Sequence, residues 1–261
     1  KWIEDKEKRW GKTSPLFLGR VLGEFPSESI NSLISIPQLE KAIVATPAGG
    51  KKVIGIDVAR YGADSTVFSV VKGGDQRDII THQGKPTTYT EGVAVGLIRK
   101  HRPEIVVVDE GAMGAGIVDH LYQIIPDLNK ELGIKCEIIG FKFGGKPSIS
   151  DFADKGTESY YKVTKAIIAG KVKLIDDDEQ FSQLSSRQYE FNSKGQMKLE
   201  QKDKMKLRGL PSPDKADALI MALSESIEEK DDIPEDEEDY SFVEAKLDPY
   251  SGYPIKEDVF I

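Results

Sequence analysis

The sequence predicts an α/β domain: a central mixed sheet with helices packed against it. Three observations predict this. Val53-Ile54-Gly55-Ile56 and Thr66 to Val71 are two apolar runs flanking a turn, Arg60-Tyr61-Gly62-Ala63-Asp64, which is the pattern of a β-hairpin. Ile105-Val106-Val107-Val108 is a continuous β-branched run, as a strand buried on both faces reads. Helical and strand patterns then alternate, as parallel crossovers require.

The elements follow in order. Residues 1–50 read as a connecting segment with short helices, of which "SIPQLEKAI" is the clearest. The hairpin occupies 52–71, and "RDIITHQG" (77–84) supplies a third strand. "TYTEGVAVGLIRKHRP" is a helix with a threonine cap ahead of it and Pro103 past its end. The strand "EIVVVDE", the helix "GAGIVDHLYQII" and the strand "IKCEIIGFKF" come next. A helix over 155–169 stops at Gly170, and "KVKLI" is a short strand. "RQYEFNSKGQMKLEQKDKMK" alternates about a Ser-Lys-Gly turn, which argues for a second hairpin. A last helix runs from about Ser212 to about Glu229, which bounds the main domain at 51–229. Residues 230–261 are too charged and turn-rich to fold alone.

Composition removes several classes of function. One cysteine, Cys136, and three separated histidines (His82, His101, His120) exclude a disulfide framework and argue against a zinc site. No apolar run is long enough for a membrane span and no signal peptide is visible, so the expected compartment is cytoplasmic. The net charge of −8 is unevenly placed. Residues 225–261 hold 14 acidic and 3 basic side chains, leaving 33 basic against 30 acidic in the preceding 224. A slightly basic body therefore carries an acidic tail.

Two nucleotide-like motifs fail on inspection. Gly11-Lys12-Thr13 resembles the end of a phosphate-binding loop, but Lys6 stands where that loop needs glycine, and no apolar strand precedes it. Gly111, Gly114 and Gly116 follow a strand with the wrong spacing for a dinucleotide site, beside Asp109 and Glu110, which would repel a pyrophosphate. A close turn packing a helix on the sheet is the better reading.

The carboxylates carry the chemistry. Asp57 lies within the first strand among apolar neighbours, where an ionised group needs a cation. Asp109 ends the fourth strand, and in an open α/β sheet ligands gather beyond the carboxyl ends of parallel strands. Asp214 and Asp217 open the last helix, three residues apart and so on one face. Taken singly, Asp57 reads as turn chemistry, Asp109 as a helix cap and Asp214 as part of a Ser-Pro-Asp helix start. Taken together they read as a site for an oxygen-seeking divalent cation. Asp64 reads as a turn residue and Glu110 as a solvated neighbour. The segment 187–208 adds seven basic residues, Arg187, Lys194, Lys198, Lys202, Lys204, Lys206 and Arg208, against Glu190, Glu200 and Asp203. Such a hairpin could grip a phosphate backbone without reading sequence, or simply be a lysine-rich edge that resists strand pairing.

"GIDVARYGADSTVFSVV", "VVVDEGAMGAGIVDHL" and "SPDKADALIMAL", in that order, resemble the nuclease domain of tailed-phage large terminase subunits, the DNA-packaging motors. "FLGRVLGEFP" (17–26) resembles the segment preceding that domain, and the resemblance covers roughly 15–225. It implies a ribonuclease H-like fold with a mixed five-stranded sheet and an added basic hairpin. It implies an endonuclease that cuts double-stranded DNA concatemers with two Mg²⁺ or Mn²⁺ ions. Asp57 would bridge the ions, Asp109 and Asp214 would complete their shells, and Asp217 would be a supporting or alternative ligand. Family members often carry two adjacent acids, commonly after a histidine, where this chain reads Ser212-Pro213-Asp214. The resemblance further implies a preceding packaging ATPase domain, a portal and small terminase subunit as partners, and the host cytoplasm as location, with the acidic tail as a docking or regulatory piece. Two other readings stay open. "GIDVARYGADST" also resembles the first phosphate loop of sugar-kinase and actin-like ATP-binding domains, although no second copy of the fold is visible. A catalytically idle DNA-binding module of the motor would carry the same basic segment.

Overall fold

The computed structural model describes residues 2–23, 31–59, 64–111 and 114–227. The acidic tail, most of the Arg60–Asp64 turn and the end of the 17–26 stretch lie outside these residues. The amino-terminal segment forms α1 (Trp2–Trp10), a single turn α2 (Pro15–Phe17) that continues as a π-helical turn to Leu22, and α3 (Ile36–Ala42). Ser14 caps α2 by accepting from the Phe17 amide at 3.1 Å, and Gln38 reaches back to the Ser35 amide at 2.8 Å to open α3.

The main domain holds β1 (Lys52–Asp57), β2 (Thr66–Lys72), β3 (Asp75–His82), α4 (Thr87–His101), β4 (Ile105–Asp109), α5 (Gly114–Leu132) and β5 (Glu137–Phe141). These strands make one sheet in the order β3-β2-β1-β4-β5, antiparallel through β3, β2 and β1 and parallel from β1 through β4 to β5. The mixed five-stranded sheet expected from the sequence is therefore present. Then come α6 (Lys155–Ile168), α7 (Asp178–Ser186), a hairpin of β6 (Tyr189–Phe191) and β7 (Met197–Leu199), α8 (Lys202–Leu207) and α9 (Asp214–Ser226).

Alternation along the strands sorts the core into two layers. Ile54, Ile56, Val106 and Val108 face α4 and α5. Val53, Ile105 and Val107 face the opposite way, toward α6, α7 and α9. Asp57 and Asp109 share the parity of Val53 and Val107, so both project on the α9 side at the carboxyl ends of adjacent strands. A close approach on that side is at Gly55, where an added Cβ would lie 2.2 Å from the Ala218 carbonyl oxygen and 2.9 Å from Ala222 Cβ. Glycine at this one strand position lets α9 sit on β1.

Several expectations are corrected. "KVKLI" forms no strand; Lys173 makes a single parallel bridge to Asp75, which leaves the sheet at five strands. Pro86, not a threonine, occupies the cap of α4. The basic segment is a hairpin only as far as Leu199. Residues 202–207 turn helical, because Lys, Met and Leu favour helix and Met205 finds a buried place for its side chain. Gly11, in the rejected phosphate-loop motif, has φ +80° and packs against Leu210, while the Thr13 hydroxyl donates to the Arg208 carbonyl. That motif is a structural turn. Gly114 opens α5 so close to β4 that an added Cβ would collide with the Asp109 carbonyl, which makes this segment the expected helix-packing turn.

Gly55→Ala is expected to destabilise the fold by about 1–3 kcal/mol, the usual cost of overpacking. Urea denaturation checks it; an unchanged midpoint would mean α9 moves freely off the strand.

Candidate metal centre

Four acidic side chains converge beyond β1 and β4 because three elements end there. Asp57 closes β1 and is only 5% exposed. Asp109 closes the neighbouring parallel strand, and its Oδ1 accepts from the Gly111 amide at 3.0 Å. Asp214 is the first residue of α9, 7% exposed, and its Oδ2 accepts from the Ser65 amide at 2.6 Å. Asp217, one turn on, is fully buried. Its Oδ1 accepts from the Tyr160 hydroxyl of α6 at 2.5 Å.

The cation beside them is Lys202. Its Nζ lies 2.7 Å from Asp217 Oδ2 and 4.0 Å from Asp57 Oδ2. Asp217 Oδ2 is buried and faces the Lys202 ammonium. Burial pushes the Asp57 carboxyl well above the ordinary carboxylate range; Lys202 opposes this, while Asp217, Asp214 and Asp109 add to it. Burial likewise raises Asp109 and Asp214, with Lys202 and backbone amides pulling both down. Asp217 goes the other way. Burial would raise it, but Lys202, Arg187 and the bonds from Lys202 and Tyr160 hold it below its usual value. Lys202 is thus felt by all four acids, and burial, which alone would lower its own value, is outweighed by Asp217, Asp57 and Asp214, so that it stays charged.

Among the described residues, no three His, Cys, Asp or Glu side chains stand as placed to hold a metal ion. The donor set is nevertheless suited to one. It is all carboxylate oxygen, partly dehydrated and mutually repelling; hard ions such as Mg²⁺ or Mn²⁺ prefer such ligands. Thiol chemistry has no place in it, since burial, aided by Glu137, pushes the Cys136 thiol up to about 12.

The seven basic residues are dispersed. Lys202 turns into the acidic site. Arg187 is buried, with its guanidinium 5.1 Å from the centre of the Tyr160 ring. Arg208 is tied to Glu200 and to the Ser186 carbonyl. Lys204 pairs with Glu190 at 2.8 Å, and Lys206 lies 3.6 Å from Asp64, on the rim next to Ser65. Lys194 and Lys198 belong to the turn and second strand of the hairpin. Glu110 is paired with Lys142 at 2.9 Å, and its charge adds to the upward push on Asp109. Sequence reasoning missed Tyr160 and the inward turn of Lys202 and Arg187; an aromatic on an amphipathic helix reads as ordinary core.

No family model matches the chain. The chain is 24% identical over 252 residues to a probable terminase large subunit of Enterobacteria phage P7, covering 90% of this chain. It spans about half (50%) of that relative's length. The nuclease domain of the large terminase subunit gp2 of bacterial virus Sf6 superposes with a TM-score of 0.59, at 22% identity over 74% of this chain and 98% of that one. The fold is that of the large-terminase nuclease domains. The large terminase nuclease of thermophilic phage G20c, solved with bound magnesium, superposes at 0.52 with 18% identity, covering 75% of this chain and 98% of that one. A point mutant of the Sf6 domain was solved with manganese and β-thujaplicinol. The five-stranded mixed sheet flanked by helices, which the resemblance implied, is thus the fold shared with these nuclease domains.

Removing the cation has a predictable sign. Asp217 is depressed, so its ion pair contributes stability above the unfolded carboxylate range and loses it as pH falls through the folded value. Lys202→Met is expected to cost about 2 kcal/mol at pH 7, between the surface and buried limits because the lysine side chain is 40% exposed. The deficit should shrink below about pH 4. Urea titrations at pH 7 and pH 3.5 check this; an equal deficit at both would show that the pair carries no weight.

Proposed function

We propose that this chain is the nuclease part of a phage DNA-packaging enzyme, a divalent-metal-dependent endonuclease that cuts double-stranded DNA during genome packaging. One observation carries the reading: carboxylates from β1, β4 and α9 are forced together in a partly dehydrated pocket whose principal counter-charge, among the described residues, is Lys202. The likeness in fold to terminase nucleases supports it, as does the presence of divalent metals in structures of those proteins.

In this reading Asp57, Asp109 and Asp214 hold Mg²⁺ or Mn²⁺, two ions in the fullest form, with Asp217 in support. Bound there, such ions supply an acidified water as nucleophile and charge stabilisation for the leaving oxygen of the scissile phosphate. The Ser65 and Gly111 amides orient Asp214 and Asp109 by direct hydrogen bonds. Lys202 balances the carboxylates until the site is loaded. The DNA backbone is held by Lys194, Lys198, Lys204 and Lys206 through sequence-independent contacts, while Arg187 and Arg208 stabilise the protein side of that surface. The same reading makes a packaging ATPase domain, the portal and the small terminase subunit the partners, and the host cytoplasm the setting. Among the described residues no helix is long and apolar enough to cross a membrane.

Supercoiled plasmid incubated with the protein in Mg²⁺ or Mn²⁺ should be nicked and linearised, and EDTA or Asp57→Asn should each reduce cleavage to background. Cleavage that survives Asp57→Asn would contradict the assignment. Because Asp57, Asp109 and Asp214 sit above their unfolded values, the stability they contribute is complete below about pH 4 and is lost as pH rises through the folded values. Mg²⁺ should therefore raise the melting temperature more at pH 8 than at pH 5, which differential scanning fluorimetry would read. Lys198→Ala should weaken duplex binding about equally for all sequences and lower the slope of log K against log salt by about 1.

A further inference from the structure

Behind the carboxylates lies a buried polar chain that the cleavage chemistry leaves unused. Tyr160 is fully buried and donates its hydroxyl to Asp217 Oδ1 at 2.5 Å. The Arg187 guanidinium lies 5.1 Å from the Tyr160 ring centre, and one of its terminal nitrogens is 2.9 Å from Met205 Sδ. Its Nε is buried without a hydrogen-bond partner. A buried guanidinium left partly unpaired is costly, and an apolar side chain of similar volume would avoid that cost. The arrangement therefore calls for a reason beyond packing. Arg187 touches the Tyr160 ring on one side and Met205 of α8 on the other, and α8 carries Lys202 while α9 carries Asp217. Tyr160 and Arg187 thus tie together the two helices that supply the cation and its fully buried acid.

We infer that Tyr160 is a positioning residue of the acidic site: its hydroxyl fixes the Asp217 carboxylate by Oδ1, so that Oδ2 stays turned toward Lys202 and Asp57, and Arg187 against the ring fixes the phenol. The inference rests on the metal-dependent nuclease reading and deepens it. Groups that hydrogen-bond a ligating carboxylate set its orientation, and losing one weakens metal binding without removing a ligand. Tyr160→Phe deletes only the hydroxyl and keeps the ring on Arg187.

The test is Mn²⁺ titration into the full chain without DNA, followed by calorimetry, for wild type, Tyr160→Phe, Asp217→Asn and the double variant. Plasmid cleavage is measured in parallel as a function of Mn²⁺ concentration. Tyr160→Phe should fold, bind Mn²⁺ about tenfold more weakly, and shift the half-saturating Mn²⁺ for cleavage by the same factor, with the rate recovering at saturating metal. In the Asp217→Asn background it should add no further loss. Equal Mn²⁺ affinity in wild type and Tyr160→Phe, with wild type cleaving, would overturn the inference and leave the nuclease reading standing. An undiminished second loss in the double variant would overturn it too, since Tyr160 would not be acting through Asp217. A rate lowered at every Mn²⁺ concentration with an unmoved midpoint would reduce Tyr160 to packing. Wild type that neither binds Mn²⁺ nor cleaves would remove both readings.

Discussion

The seating of α9 on β1 is the constraint from which the acidic site follows. An added Cβ at Gly55 would collide with the Ala218 carbonyl, so glycine there brings the helix within one side chain of the strand. The first turn of α9 then lands beside the end of β1, two residues beyond Gly55. Asp214 and Asp217 on that turn have nowhere to go but toward Asp57. The parallel pairing of β1 with β4, in which Ile56 faces Val108, brings Asp109 to the same rim. Strand ends and a helix start put all four of these acids there.

Bringing like charges together out of water raises the free energy of the folded chain, and among the described residues the shared cation Lys202 offsets this for all four acids. Lys202 is close to Asp217 and within reach of Asp57, and its field lowers all four carboxylates. A lysine is a compact point charge on a flexible stem, and its partly exposed stem gives it room to leave. A rigid, bidentate arginine in that place would be far harder to displace. The outer basic residues are tempered by acids in the same way: Lys204 by Glu190 and Lys206 by Asp64. Each of these pairs is exposed enough for a phosphate to compete for the lysine.

Much of this was legible in the sequence, and the reasons are local. The β-branched run before Asp109 and the apolar run before Asp57 read as strands, which put both acids on the sheet; which face they take follows from the observed pairing of β1 with β4. The three-residue spacing of Asp214 and Asp217 gave their common helical face. What could not be read was anything decided by tertiary contact. Lys202 and Arg187 looked like two more members of a basic hairpin, because alternation about the Ser-Lys-Gly turn extends visually past Leu199, where the chain in fact turns helical to bury Met205. "KVKLI" had the composition of a strand but meets the sheet only at its edge, through one bridge. Tyr160 carries no sequence mark at all. Its partner lies 57 residues away, and only the packing of α6 on α9 brings them together.

In the proposed function these carboxylates exchange a lysine for divalent metal. Anomalous diffraction from crystals soaked in Mn²⁺ tests it most directly. The account predicts an anomalous peak among Asp57, Asp109 and Asp214, with Lys202 withdrawn from Asp217. A fully occupied Lys202–Asp217 pair and no peak at that position, in crystals that take up Mn²⁺ elsewhere, would contradict it.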